Sequence, residues 1–388
     1  MGVLNSVTFP GPDELKRLLG WAPAGGVLSV AVAIDPADRG GGWRVALEDA
    51  IRDVLASTDG APHDTRVAMR DVAQKVLDRF EENRPPEGRG HLGFVEVARK
   101  NAREIWHSSL MAPRRTEAVY GHRAYLRPAI EIADESARIG VVALSGDRVR
   151  LWEWEEGTLS DVDDVELTIV GDWRERKAQR SSDTARVHGA KAAGRDQYDQ
   201  RLEANRERFL TQFAEQIADR AGQRGWRDLL AFGENEHMRR FTAALGPLQA
   251  RHVYRKNIAT EPSSAIAERV EELVPELNRE REMKLVEKVK ESAFSGKERA
   301  SLGPQETLEA LGQGRVEHLL FDADRDYSGR GIEEGLAYEG PPLGQDGLPV
   351  AELMIERALE TGARVTPLEG EPAAALDEHD GVVALLRY

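Results

Sequence analysis

The chain of 388 residues contains no cysteine. That removes disulfides, thiolate zinc sites and a cysteine nucleophile, and it fits a reducing cytoplasm. Aromatic residues are sparse, at 6%. No apolar run reaches the roughly 18 residues that a membrane span needs. The opening MGVLNSVTFPGPDELKRLL lacks the basic-then-apolar order of a secretory signal. The expectation is therefore a cytoplasmic protein with no membrane partner. Paired metal-ligand spacings are also missing. Nine histidines include no HxH or HxxxH pair, so no metal is expected. The phosphate-loop pattern G-x-x-x-x-G-K-[ST] does not occur, and no cofactor is expected.

Positive charge is in deficit, with 53 Lys and Arg against 68 Asp and Glu, a net charge of -15. An average of this sign argues against a general nucleic-acid coat but leaves room for a local basic patch. What is present suits a globular protein. At 40% hydrophobic and 31% charged residues, the chain can build two or three cores under a well-solvated surface.

Three α/β segments follow from the patterning, with expected boundaries 1–130, 131–257 and 258–388. In the first, GGVLSVAVAID reads as a buried strand, and two stretches with helical apolar spacing follow before the strand HLGFVEVA. Gly40 to Gly42 read as a turn, with Trp43 packing behind it. In the second, IGVVAL and RVRLWEWEEG flank the turn SGD as a hairpin. Trp152 and Trp154 read as sheet packing rather than a base-stacking platform. VELTIV is a further strand. A loop over 171–197 then leads into a helix from about Asp196 to Arg220, and RDLLAFG, NEHMRRFTAAL and ARHVYRK read as strand, helix and strand. The third opens on the charged helix SSAIAERVEELVPELNREREMKLVEKVKESAF, expected to bend at Pro275. It continues as GPQETLEALGQGRVEHLLFDAD and VAELMIERALETGARVTPL, each helix, glycine and strand, and closes on the strand DGVVALLRY. His237 and His318 read as structural or exposed rather than as ligands.

The stretch from Arg174 to Arg195 stands out. Arg174, Arg176, Lys177, Arg180, Arg186, Lys191 and Arg195 oppose only Glu175 and Asp183, so the segment carries +5 within an acidic chain. Small residues fill the rest, among them Gly189 and Gly194. Such a segment is unable to build a core, and its cations suit phosphates. Asp196 follows as an expected N-cap, which would make Gln197 the first helical residue, at the positive end of the helix dipole. A neutral amide there both accepts and donates hydrogen bonds. It is no general base near neutral pH, but it can orient a water and stabilise charge on an ester carbonyl. Gln200 and Gln179 are lesser candidates.

Two stretches carry a family resemblance. GQGRVEHLLFDAD with the closing GVVALLRY resembles the C-terminal, L7Ae-like domain of archaeo-eukaryotic peptide-chain release factors. HRAYLRPAIEIADESARIGVVALSGDRVRLWEWEEGTL resembles the start of the central domain in their bacterial relatives, which are similar to the eukaryotic ribosome-quality-control peptidyl-tRNA hydrolases. The resemblance spans roughly 120–388. It implies three consecutive α/β domains, the central one with a projecting loop and the last one L7Ae-like. In that family a Gly-Gly-Gln loop precedes a long basic helix, and the glutamine assists hydrolysis of the peptide–tRNA ester. By resemblance, Gln197 takes the glutamine's place, the loop cations hold RNA, and Arg201 and Arg206 lie on the helix behind. The implied partners are large-subunit ribosomal RNA and the tRNA acceptor end, with a protein partner through the C-terminal domain. This chain departs from the motif, reading Gly194-Arg195-Asp196-Gln197. The alternatives are a non-hydrolytic, Pelota-like ribosome-binding factor and a reused fold serving as a protein-binding module.

Overall fold

The computed structural model describes residues 12–35, 38, 40–82, 88–145, 148–166, 188–246, 248, 250–256, 258–294, 299–325, 327 and 350–388. The architecture is mixed α/β, with three sheets. The sheets fall one to each expected segment, yet the chain forms two compact units. One is residues 137–275; the other joins 1–136 to 276–388. The reason is a shared core: Leu18, Leu126 and Ile130 from the first segment cluster with Leu311, Leu319 and Ile355 from the last.

In the composite unit, β1 (Val27–Ala33), β2 (Gly90–Glu96), β3 (Glu104–Ser109) and β4 (Glu117–Gly121) form an antiparallel sheet in the order β3-β2-β1-β4. Strand β1 is apolar at nearly every position because both of its faces are covered. Leu28, Val30 and Val32 pack on Leu47 and Ile51 of α2 (Gly42–Ser57) and on Met69 and Val72 of α3 (His63–Glu82). Val27 and Ala31 point the other way, into the core that also takes Leu15 and Leu18 of α1 (Pro12–Leu19) and Ile130 and Ile132 of α4 (Arg127–Glu135). Trp43 packs as expected, its ring 5.7 Å from that of Phe80. Strands β3 and β4 and helix α4 have no counterpart in the sequence reading. Strand β3, EIWHSS, is polar, and α4 spans only two and a half turns, too short for a strong periodic signal.

The same unit holds a second sheet, ordered β10-β13-β11-β12, from β10 (Ala300–Leu302), β11 (Val316–Asp322), β12 (Arg364–Leu368) and β13 (Val382–Leu386). Its helices are α8 (Pro304–Gly312), α9 (Val350–Glu360), the short α10 (Gly370–Ala374) and the later part of α7 (Ser263–Phe294), which is one helix with Pro275 inside it. The expected glycine cap after α9 is present. Gly362 adopts φ 70°, and the Ala363 N–H reaches back to the Ala358 carbonyl at 2.7 Å, the left-handed closure that glycine allows without strain.

Across this unit, Glu352 of α9 is fully buried and accepts the backbone N–H groups of Leu126 and of Arg127, the latter at 3.2 Å. It thereby caps the start of α4 from a residue more than 220 positions away. Arg127, itself buried, bonds Glu131 at 3.1 Å and the Ala323 carbonyl.

Unit 137–275 is built on a five-stranded sheet, β7-β6-β5-β8-β9. Strands β5 (Ile139–Leu144), β6 (Arg148–Glu155) and β7 (Thr158–Glu166) form an antiparallel meander; β8 (Asp228–Gly233) and β9 (Ala250–Tyr254) continue it in parallel with β5. The hairpin expected around SGD is therefore present. The strand expected over VELTIV starts earlier, at Thr158, and residues 167–170 lie outside the described ones. Acidic TLSDVDDVE reads poorly as a strand because aspartate is depleted there. Tertiary charge pairing overrides that preference: Arg148 chelates Asp164 at 2.8 and 2.5 Å, and Arg220 holds Asp163 at 2.7 Å. Trp152 and Trp154 are buried in the sheet.

Candidate functional site

Helix α5 (His188–Arg224) starts eight residues before Asp196. Asp196 is therefore not the N-cap, and Gln197 is not the first helical residue but the tenth. The cause lies in the residues read as loop: Ala190, Ala192 and Ala193 are the strongest helix formers and Lys191 is close behind, enough to carry the helix across Gly189 and Gly194 at about 1 kcal/mol each. Gly189, Lys191, Gly194, Arg195, Asp196, Gln197 and Arg201 are all on this helix by backbone. Arg206, also on it, is half-buried. Arg174, Arg176, Lys177, Arg180 and Arg186, and with them the loop to residue 187, lie outside the described residues.

The direction of α5 follows from its two ends. At its C-terminus Gly225 takes φ 69°, and the Trp226 N–H closes on the Ala221 carbonyl at 3.0 Å, a glycine-dependent stop. Two residues later β8 begins. The helix packs on the sheet through Leu210, Phe213, Ala214, Ile217 and Ala221, against Leu229 and Ala231 of β8. A helix that joins a strand through so short a link and packs upon it must run antiparallel to it. The N-terminal part of α5 thus lies at the carboxyl end of β5, β8 and β9.

How far it extends is set by α6 (Asn235–Ala244). This helix follows β8 after the single residue Glu234 and returns to the start of β9, so it too runs against the strands, with Met238 and Phe241 in the same core. Arg240 of α6 bonds Glu207 of α5 at 2.6 Å, placing those two positions side by side. Gln197 is ten residues before Glu207, or about 15 Å along the axis at 1.5 Å per residue. Asn235 is five residues before Arg240, about 8 Å. The backbone at Gln197 therefore stands roughly 7 Å beyond the first turn of α6.

The carboxyl end of a parallel strand group is where α/β sheets receive ligands, since the loops and helix N-termini gather there. In this unit it collects the end of β7, the start of α5, the β5–β6 turn and the ends of β8 and β9. The Arg148 guanidinium holds the Asp164 carboxyl below its usual range by direct hydrogen bonding. Arg150 lies 4.5 Å over the Trp152 ring and donates to Ser263 Oγ at 2.8 Å, which fixes the start of α7. Three further cations of this unit, Arg239, Arg255 and Lys256, are exposed; the letters RKNIAT around the last two carry no weight as a motif. Their signal was a local one, five Lys and Arg against two Glu over residues 234–256.

His318 takes a structural role. His318 is buried and bonds Thr366 Oγ1 at 2.9 Å, and burial pushes its pKa down to about 4. Among the described residues no group of three acidic or histidine side chains could hold a metal ion, and no helix is long and apolar enough to cross a membrane.

Residues 137–272 match the family described as bacterial archaeo-eukaryotic release factor family 5, nearly the bounds of the compact unit 137–275. No curated protein matches the chain. Solved structures that resemble it include the archaeal translation termination factor aRF1, at 18% identity over 96% of both chains with a TM-score of 0.25. Archaeoglobus fulgidus Pelota matches at 13% identity, over 77% of this chain and 79% of that one, with a TM-score of 0.30. An archaeal chain from a model of ribosome-bound Pelota and ABCE1 matches at 12% identity, over 98% and 95%, with a TM-score of 0.42. The family match falls on the middle unit, 137–275.

Proposed function

We propose that this chain is a cytoplasmic, ribosome-associated peptidyl-tRNA hydrolase that cleaves the peptide–tRNA ester in the rescue of stalled ribosomes. The observation that carries the reading is the position of Gln197 on α5: it lies on the stretch that runs past the sheet, in the unit that matches the release-factor-like family. The Gln197 amide would accept from an attacking water and donate to the developing oxyanion, so it acts by orientation and charge stabilisation rather than by proton abstraction. The cations of 174–195, with Arg201 and Arg206, would hold ribosomal RNA and the tRNA acceptor end. The C-terminal segment, read as L7Ae-like, would contact a protein partner.

One specific feature favours a second reading, a non-hydrolytic, Pelota-like rescue factor. Gly194-Arg195-Asp196-Gln197 lacks the double glycine, and Asp196 adds a negative charge beside the amide. A single assay separates the two. Stalled ribosome–nascent-chain complexes are incubated with the wild type and with Gln197→Ala, and released peptide is followed. Release by the wild type, reduced at least 100-fold in the variant, is the expected outcome, within the range for loss of one oxyanion donor. Ribosome binding without release by either protein favours the second reading. Equal release by both removes Gln197 from the mechanism.

A further inference from the structure

The acidity of the protein is unevenly placed. Residues 137–275 carry 22 Lys and Arg against 24 Asp and Glu, whereas the remainder carries 31 against 44. Within the first group, residues 234–256 hold Arg239, Arg240, Arg251, Arg255 and Lys256 against Glu234 and Glu236. Two of these cations are engaged: Arg240 pairs with Glu207, and Arg251 is half-buried with interactions of its own. The other three, Arg239, Arg255 and Lys256, are exposed and have no ion-pair partner among the described residues.

Topology brings these three to one end of the sheet. Arg255 and Lys256 directly follow β9, which is an edge strand. The Arg255 N–H bonds the Gly233 carbonyl at 3.2 Å, so its backbone is pinned to the end of β8. Arg239 lies in the second turn of α6, which starts two residues after Gly233. This is the carboxyl end of the strands, the end at which the N-terminal part of α5 carries Gln197. The two carboxylates within residues 234–256 do not cancel the patch: Glu234 is half-buried, and Glu236 occupies the first turn of α6, where the helix dipole favours it.

Five Lys and Arg against two Glu over residues 234–256 make a local excess of positive charge in an acidic chain, and such a patch suits an anionic partner. Arg239 is held on a helix, and Arg255 follows the strand end with its backbone bonded to Gly233, so the positive charge stands at a fixed place on the unit. Fixed positive charge suits phosphates, whose counterions are released on contact.

We propose that Arg239, Arg255 and Lys256 form an RNA-phosphate contact that docks this unit beside the site reached by the Gln197 end of α5. The inference deepens the ribosomal function proposed above and rests on it for the identity of the RNA. The three side chains orient the unit without reading sequence, as phosphate contacts do. They are positioning residues: the ester is reached by α5, and the patch sets where α5 stands.

The test uses the full chain and the triple variant Arg239→Gln, Arg255→Gln, Lys256→Gln. Because the three have no ion-pair partner among the described residues, the thermal melt should be unchanged; Lys256→Gln alone serves if the triple variant is unstable. Two probes are compared across a salt series, ribosomes by co-sedimentation and a labelled single-stranded RNA by fluorescence anisotropy, with poly-glutamate as the acidic-protein control. The triple variant should bind both RNA probes about tenfold more weakly at ~50 mM salt, with a slope of log affinity against log salt shallower by about two. Where hydrolysis is measurable, KM should rise with kcat retained. Unchanged affinity and slope on ribosomes that the wild type does bind overturn the phosphate contact and leave the ribosomal function standing. A wild type that ignores ribosomes, with RNA affinity still falling in the variant, overturns the ribosomal function and leaves the phosphate contact. Poly-glutamate binding the wild type as tightly as RNA overturns the assignment to phosphate.

Discussion

The Glu207 carboxylate and the Arg240 guanidinium, 2.6 Å apart, set α5 and α6 in register. A half-exposed pair of this kind contributes little stability, about 0–1 kcal/mol. Its value here is geometric, because it shows how much of α5 lies beyond the neighbouring helix. That overhang contains Gly194 and Gln197, and its helical state bears directly on how the amide is presented.

Gly194→Ala should strengthen that overhang by up to about 1 kcal/mol locally. Amide exchange over residues 190–198 should slow while the global melting temperature holds. Ala193→Pro should do the reverse, because proline removes a donor and clashes with the preceding turn. Both are read by amide exchange followed by NMR. Exchange unaffected by either change would contradict a helix that begins at His188.

Glu352→Ala should be among the most destabilising single changes in the composite unit. It leaves the N–H groups of Leu126 and Arg127 buried without an acceptor, and each such orphan costs about 1–3 kcal/mol. Glu352→Gln keeps one acceptor oxygen and should fall between alanine and wild type. Urea unfolding monitored by circular dichroism reads the order wild type, glutamine, alanine.

The stability of the composite unit should decline as pH rises from about 6.5 to 8. Burial pushes Glu135 and Glu282 up to about 7 and Glu352 up to about 8. The folded state therefore holds protons that the unfolded state has already released, and stability falls with pH through this window. His91 and His318 act in the opposite direction, since burial lowers both to about 4. Their contribution is complete above the usual histidine range and is lost only toward acid. Glu282→Gln should flatten the alkaline decline by part of its amplitude. Melting temperatures measured at half-unit pH steps check both statements, and a curve that rises toward pH 8 would refute them.

Much of the architecture was legible because it rests on local pattern. The apolar run of β1, the alternation in β6 and the helix–glycine–strand order around Gly314 and Gly362 are each written within a few residues. The +5 segment from Arg174 to Arg195 was equally plain, since charge is read by counting. The start of α5 was harder. Glycines and cations suggested a loop, while three alanines carried the helix eight residues further than a cap at Asp196 would allow.

Other features lay beyond any local window. The strand TLSDVDDVE exists because Arg148 and Arg220 neutralise its aspartates from elsewhere in the unit. The cap of α4 comes from Glu352, and the N- and C-terminal segments merge over one core because Leu18 and Ile130 find Leu319 and Ile355. The same holds for the candidate site: composition offered Arg239, Arg255 and Lys256 as scattered letters. Short-range patterning was sufficient for element type and charge, since both depend on neighbours in the chain. Long-range packing alone chose which ends meet and which side chains pair, because burial and ion pairing act between residues that the fold, and not the order of the chain, brings together.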